Sequence, residues 1–395
     1  MGVKGLRGQD GAAAGLAAAG VLCVATGLLD VGAAEAALVR LAPLLAFLAS
    51  VIVLAELTGA AGVFDAVAAG VARAARGRYA VLFVLCSVFV SVTTIALNLD
   101  TTAVLLTPVM LALAGRVGVA ALPPAMTTIW LANTASLLLP VSNLTNLLAA
   151  DRLGLSPQGM AVLMWAPQLA AVAVTMLCLW VFYWRPARPE GGVLASPEPF
   201  RVADRVLFAV SAVATAGFLA AILGAEVPLW AASGAAALVV VGAFAVRRPG
   251  VLRPSLVPWR LLVLVPGLFL VVETVTVHGL HGWLVAAMGA DGGVVGMFRS
   301  AAVGAGLSNV LNNLPVYLAG EGAVPVDQPQ RLAALLIGTN VGALVVPWAS
   351  LATLLCLERC RRHGTRVPAG RFVVTGLVLS VAATAAATGA LALGR

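Results

Sequence analysis

The sequence predicts an all-α polytopic membrane protein built from two inverted repeats, and three observations lead to this prediction. Of the 395 residues, 61% are apolar and 10% are charged, whereas about a quarter of an ordinary soluble domain is charged. Apolar runs of about 18 residues or more, enough to cross a bilayer, recur along the chain. Two of these runs share a pattern in which an Asn is followed, seven residues later, by a Pro.

The distribution of basic residues predicts the orientation. With the N-terminus in the cytoplasm and the C-terminus outside, nine crossings leave most of the 24 Lys and Arg residues on the cytoplasmic side. The exceptions are Arg40, Arg152, Arg299, Arg331 and Arg395. This is the positive-inside pattern of a cytoplasmic (inner) membrane protein of a bacterium. The net charge of +8 therefore needs no nucleic-acid partner.

The N-terminal half is predicted to be residues 1–184, with the first repeat at about 41–184. Its predicted full crossings are Ala12–Leu29, Leu41–Thr58, Pro124–Ala150 and Met160–Tyr183. Between the second and third of these, Val63 opens a short amphipathic segment expected to lie in the membrane interface.

A re-entrant hairpin is predicted for Tyr79–Gly115. This apolar run has arginines on both flanks and a polar interruption at Asn98–Thr102. A single crossing would place one basic flank outside, whereas a hairpin keeps both inside. Its non-helical tip at mid-membrane is tolerated only where it lines a cavity or is buried in protein.

The Pro- and Arg-rich residues 185–204 are predicted to be a cytoplasmic linker. The C-terminal half is then 205–395, with the second repeat at about 257–395. Its predicted crossings are Arg205–Leu223, Pro228–Val246, Leu261–Thr276, Leu332–Leu357 and Phe372–Leu393. A second hairpin is expected at Val294–Gly320, with polar residues at Ser308–Asn313.

Two crossings are predicted to be broken helices. Pro140 and Pro347 each follow an Asn by seven residues, and proline within a helix removes a backbone hydrogen bond. The two stretches match at an offset of 207 residues, and an odd number of crossings gives the repeats opposite orientations. Broken helices at matching positions of two inverted halves indicate the binding site of a secondary transporter.

At the hairpin tips and broken helices the sequence resembles the ion transporter superfamily, and within it most closely the arsenical pump membrane protein family. The stretches that carry the resemblance are Asn98–Pro108, Asn133–Asn146, Val257–Glu273, Leu307–Pro315 and Val346–Leu355. The resemblance implies efflux of arsenite or antimonite by proton antiport. A sodium/proton antiporter and a dicarboxylate carrier of the same superfamily are the alternatives. A cytoplasmic ATPase subunit and a homodimer are left open.

Asp100 is predicted to be the proton-coupling residue. A carboxylate at mid-membrane costs at least about 2.5–3.5 kcal/mol, so it is usually retained on an ion or proton path. The alternative is a structural role, in which the carboxylate caps the exit helix of the hairpin.

Uncharged amides and hydroxyls at the tips and breaks are predicted to bind the substrate. They are Asn98, Thr101, Thr102, Asn133, Ser142, Asn143, Asn309, Asn312, Asn313, Asn340 and Ser350. These groups donate and accept hydrogen bonds without charge, which suits a neutral polyhydroxy solute. Alternatively, they only satisfy the broken backbone. Glu56 and Glu273, near the ends of matching crossings, are candidate gates or relays, or else residues that reach the interface.

Enzymatic function is not expected. The sequence has no phosphate-binding loop of the GxxxxGK[ST] form and no His, Cys or carboxylate cluster with metal-ligand spacing. No cofactor is therefore predicted.

Overall fold

All regular elements in the described part of the computed structural model are helices, which confirms the all-α class. The structure describes residues 3–189, 194, 201–224, 227–325 and 327–394. Half of the predicted linker at 185–204 lies outside the described residues. Among those described, eight helices are long and apolar enough to cross a membrane, and Ala14–Ala25 and Arg205–Ala221 are shorter apolar helices.

The helices of the N-terminal half follow the predicted order. They are α1 (Val3–Ala25), α2 (Val31–Ala60), α3 (Val63–Ala74), α4 (Tyr79–Ala96), α5 (Leu99–Val117), α6 (Leu122–Thr134), α7 (Leu144–Leu153) and α8 (Pro157–Leu179). α3 is the amphipathic segment, with Phe64, Ala68 and Ala72 on its buried face. α2 is longer than its predicted crossing, because Asp30 caps it upstream by accepting the backbone amides of Gly32 and Ala33.

The C-terminal half repeats this order after two additional helices. Its helices are α9 (Arg205–Gly224), α10 (Leu229–Arg247), α11 (Trp259–Val275), α12 (His281–Met288), α13 (Gly293–Leu311), α14 (Asn313–Glu321), α15 (Pro329–Val341), α16 (Leu351–Arg362) and α17 (Ala369–Leu393). A single wide turn, Thr276–Leu280, joins α11 to α12.

The hairpin interruptions are shorter than the sequence suggests. Only Leu97 and Asn98 separate α4 from α5, and only Asn312 separates α13 from α14. The reason is helix capping. The Asn98 Oδ1 atom accepts the backbone amides of Asp100 (2.7 Å) and Thr101 (3.4 Å), and Asn is among the best N-cap residues. The polar residues after Asn98 therefore form the first turn of α5.

The two broken crossings have equivalent breaks. α6 and α15 end 207 residues apart, and each is followed by an irregular segment, a short 3₁₀ turn and a new helix. The 3₁₀ turns are Pro140–Ser142 and Pro347–Ala349. Since both prolines start these turns, they occupy positions where a missing amide costs little.

Side chains from other helices satisfy the backbone exposed by the breaks. Gln168 of α8 accepts the backbone amide of Leu137 at 2.8 Å. In the second repeat Asn309 of α13 donates to the Gly342 carbonyl (2.7 Å) and accepts the Val345 amide (2.9 Å). Each break is thus fixed to a neighbouring helix.

Candidate functional site

The two broken crossings meet through hydrogen bonds between their polar side chains. The Asn133 Nδ2 atom on α6 donates to Thr353 Oγ1 on α16 at 3.2 Å. The Asn340 Nδ2 atom on α15 donates to Asn146 Oδ1 on α7 at 2.9 Å, and Asn340 Oδ1 accepts from Thr145 Oγ1 at 2.8 Å. All these residues are buried.

These contacts are reciprocal. Asn133 matches Asn340, and Asn146 matches Thr353, at the same offset of 207 residues. The first half of each broken crossing therefore touches the second half of the other. A two-fold relation between the two repeats requires contacts that are reciprocal in this way. The contacts are therefore consistent with the predicted inverted repeat.

Asn340→Ala is expected to lower the free energy of unfolding by about 1–3 kcal/mol, because the substitution leaves Asn146 and Thr145 with unsatisfied buried groups. The measurement is unfolding of the purified protein in mixed detergent micelles. In a double-mutant cycle with Asn146→Ala we expect a coupling of about 0.6–1.7 kcal/mol, the range of such hydrogen bonds in membrane proteins. Thr384→Val is the control, since the buried Thr384 hydroxyl on α17 has no partner among the described residues. Strict additivity of Asn340→Ala and Asn146→Ala would contradict the assigned contact.

The first hairpin tip packs against the first break. Ser142 Oγ donates to the carbonyl oxygen of Ile95, at the end of α4, at 2.9 Å. Thr94 and Thr102 join the two arms of the hairpin through their hydroxyls, 3.3 Å apart. Asn98, Thr101 and Thr102 are each at most 4% exposed. The structure therefore brings these predicted residues of the first repeat together in the protein interior.

Asp100 lies in the first turn of α5 and is not the helix cap. Asn98 takes the capping position, so the alternative structural role proposed for the carboxylate is wrong. Its Oδ1 atom is buried and has no hydrogen-bond partner among the described residues. A buried carboxyl oxygen without a partner lowers the stability of the fold. A contribution to stability therefore does not explain this group, whereas a ligand that binds it transiently would.

Four other predicted residues keep a buried polar atom without a partner in the described part of the chain. They are Thr101 (Oγ1), Asn133 (Oδ1), Asn143 (Nδ2) and Ser350 (Oγ). Together they supply hydroxyls, an amide donor and an amide acceptor. Most buried polar side chains in proteins are paired. Seven other buried polar atoms of the described residues also have no partner, on Ser87, Ser91, Trp130, Ser211, Ser308, Thr384 and Thr388. The four groups are therefore available to a polar ligand, but their lack of partners does not by itself mark a site.

The second hairpin tip differs from the first. Asn312 donates to the Trp348 carbonyl at 2.9 Å and has a backbone φ of 123°, a conformation that strongly favours glycine. Val310 and Leu311 are 68% and 55% exposed, and Asn313 Oδ1 only accepts the Leu314 amide. Asn309 and Asn312 therefore hold the backbone of the second break, and Asn313 holds the backbone of the tip. The predicted substrate contacts of all three remain a prediction.

Glu56 and Glu273 are not in equivalent environments. Glu56 is half-buried on α2, where the Arg359 side chain of α16 acts on it electrostatically. Glu273 is exposed on α11. A role for either as a gate or relay stays a prediction.

Gln168 was not among the predicted site residues. It could have been found as a lone amide within an apolar crossing, where a polar side chain needs a partner. Asn146 and Thr353 were expected from the sequence only among the polar side chains that satisfy the backbone freed at the breaks. Asn146 donates to the carbonyl oxygens of Ser136 (2.5 Å) and Leu139 (3.0 Å). It therefore binds both the backbone of the first break and the side chain of Asn340.

In the described ranges no group of three or more His, Cys, Asp or Glu residues is arranged to hold a metal ion. Cys356 lies beside Thr107, whose hydroxyl is 3.3 Å from the sulfur.

Comparison with known proteins shows what the chain resembles. The sequence profile of the citrate transporter family (CitMHS) matches residues 10–335. The arsenical pump membrane protein of Yersinia enterocolitica is 30% identical over 367 residues, which cover 87% of this chain and 84% of that protein. That of Escherichia coli K12 is 29% identical over 375 residues, covering 88% and 85%.

A solved structure shares the fold. The YdaH transporter of Alcanivorax borkumensis, whose crystal structure has an unusual topology, superposes with a TM-score of 0.56. The match covers 93% of this chain and 89% of that one at 15% sequence identity.

Proposed function

The chain belongs to the citrate transporter (CitMHS) family and is an integral membrane transporter rather than an enzyme, and on this premise we propose that it exports arsenite or antimonite by proton antiport. The observation that carries the proposal is the buried Asp100 carboxyl, unpartnered at Oδ1, beside uncharged hydrogen-bonding groups. The bacterial cytoplasmic membrane, with the N-terminus inside, is the location that the distribution of arginines supports.

The chemistry of the substrate supports this assignment. Arsenous acid is neutral near pH 7 and carries hydroxyls that both donate and accept hydrogen bonds. The unpartnered groups of Thr101, Asn133, Asn143 and Ser350 offer complementary donors and acceptors. The names of the two arsenical pump relatives point to the same substrate class.

Asp100 would supply the coupling. A carboxyl group in a site of low polarity binds a proton readily, and the neutral form removes the cost of an isolated buried charge. In alternating access, a proton bound from outside and released to the cytoplasm drives solute in the opposite direction. Binding of the solute would supply hydrogen-bond partners for the unpaired groups. The buried polar groups would then be neutralised in the proton-bound carrier and hydrogen-bonded in the solute-bound carrier.

A carboxylate substrate is the second candidate, because the matching family profile is that of a citrate transporter. Against it, neither hairpin tip, Asn98–Thr102 or Ser308–Asn313, contains a Lys or Arg residue. An anion would then depend on helix N-termini alone for its charge. A sodium/proton antiporter needs only Asp100 and the oxygen atoms around it, and is the third candidate.

The test is accumulation of arsenite in inside-out membrane vesicles that carry an imposed proton gradient. We expect uptake that collapses on addition of an uncoupler, with no stimulation by ATP. Citrate and sodium are offered to the same vesicles as competing substrates. Uptake of citrate or dissipation of the gradient by sodium, without arsenite uptake, would refute the proposed substrate. A requirement for ATP would instead indicate the ATPase subunit left open above.

A further inference from the structure

An apolar groove runs along the outer face of the helix pair α9 and α10. It has a volume of about 680 Å³ and is open along its length. Apart from Phe218 at its floor, its walls are small side chains of Ala, Gly and Val. From Ala209 to Ala221 the α9 wall is about 18 Å long at 1.5 Å per residue. This length exceeds the hydrocarbon thickness of one leaflet, which is half of the about 30 Å of the whole core.

Basic residues stand at one end of the groove, on the faces that line it. Arg205 precedes the lining residue Ala209 by one helical turn, and Arg247 follows the lining residue Val239 by two turns. Arg205 is exposed and forms none of the ion pairs found among the described residues. Arg248, directly after α10, is also exposed.

An ion pair fixes the geometry of this end. Asp204 Oδ1 accepts the backbone amides of Val206 (3.0 Å) and Leu207 (3.1 Å), which caps α9. Its Oδ2 atom accepts from Arg247 Nε at 2.8 Å. The hydrogen bond from Arg247 holds the pKa of Asp204 below its ordinary value, so the carboxylate stays charged and offsets Arg247. Arg205 and Arg248 form no ion pair with any described residue, so their positive charges are uncompensated within that part of the chain.

From these observations we infer that the α9–α10 groove binds one anionic phospholipid of the cytoplasmic leaflet. An acyl chain lies along the small side chains, and the phosphate group contacts Arg205. Basic residues at the membrane surface attract anionic headgroups. A second copy of the chain fits the groove less well. Parallel copies would bring the uncompensated arginines of both subunits together at the same end, where like charges repel.

The inference is tested with the full-length protein purified in a mild detergent. Palmitoyl-oleoyl phosphatidylglycerol and phosphatidylcholine with the same chains are added in equal amounts. Lipid retained by the protein is measured by native mass spectrometry, and the melting temperature is measured in parallel. We expect wild type to retain phosphatidylglycerol about fivefold over phosphatidylcholine, the preference one surface arginine supplies, and to melt at a higher temperature with it.

Matched variants separate the groove from general effects. Gly217→Leu fills the groove and Arg205→Gln removes the charge, and both should abolish the preference. Gly242→Leu on α10 is the control for the first, because Gly217 and Gly242 both have open space around an added Cβ and only Gly217 lines the groove. Arg116→Gln, at an exposed arginine of α5, is the control for the second.

Three results would overturn the inference. One is equal retention of the two lipids by wild type, and another is an unchanged preference in Gly217→Leu and Arg205→Gln. The third is a loss of dimer mass in Gly217→Leu, which would show that a second copy covers the groove. Lipid retention is measured without arsenite. A failure of the proposed arsenite transport would therefore not change the conclusion about the lipid.

Discussion

Asp100→Asn is expected to abolish accumulation of arsenite against its gradient while the protein remains folded. The amide cannot release a proton, so the proposed coupling group no longer changes charge between the two sides of the membrane. Asn has nearly the same shape as Asp, and its amide can still satisfy part of the buried site around α5. Uptake into energised inside-out vesicles is expected to fall to the level of vesicles without the protein.

The matched control is Asp65→Asn, which changes a carboxylate in the first turn of the amphipathic helix α3. It should leave uptake within about twofold of wild type, as expected for a surface substitution. The thermal unfolding of both variants in detergent shows whether they are folded. Full proton-driven uptake by folded Asp100→Asn protein would exclude Asp100 as the coupling group.

Gly338→Leu is expected to destroy the fold of the second repeat. α13 and α15 pack at backbone contact, and a Cβ at Gly338 would overlap the Ala301 carbonyl oxygen and lie 2.8 Å from the Ala301 Cα atom. The obstacle is backbone and not a movable side chain, so α13 must be displaced as a unit. Overpacking commonly costs about 1–3 kcal/mol, and here we expect a cost at or above the upper end.

Displacement of α13 would also disturb the candidate site, because α13 carries Asn309, which fixes the second break at Gly342 and Val345. We expect little folded protein in size-exclusion chromatography and a melting temperature many degrees below wild type. Gly306→Leu on α13 is the matched control, since an added Cβ there meets nothing within 4 Å. A Gly338→Leu protein as stable as Gly306→Leu would show that the close packing of α13 and α15 is wrong.

The elements that carried strong local signals were predictable. Pro140 and Pro347, each seven residues after an Asn, start the 3₁₀ turns of the two breaks. Proline alone does not mark a break, since Pro43 and Pro108 lie inside continuous helices. Arginines on both flanks of Tyr79–Gly115 predicted a re-entrant hairpin. The structure has two helices there, α4 and α5, each long and apolar enough to cross a membrane, so re-entry remains a prediction. The extent of each tip was not predictable, since capping by Asn98 and Asn312 extends the helices through residues that look like loop.

The residue types of the site were predictable, but their partners were not. The offset of 207 residues relates Asn133 to Asn340 in sequence, yet it does not show that each touches the opposite repeat. That contact depends on how the two broken crossings cross in space. The sequence also does not distinguish a side-chain amide that binds backbone groups, such as that of Asn309, from one with an unpaired atom. Asn143 Nδ2 and Asn133 Oδ1 are such unpaired atoms among the described residues. Both kinds occur in similar apolar surroundings.

Proton movement driven by arsenite is the most direct test of the central claim. Purified wild-type protein and Asp100→Asn are reconstituted in liposomes that contain a pH-sensitive dye, and arsenite is then added outside. For antiport we expect protons to leave the lumen of wild-type liposomes as arsenite enters, so that the internal pH rises. Asp100→Asn and protein-free liposomes should show no such change. Arsenite entry through wild-type protein with no movement of protons would contradict proton antiport.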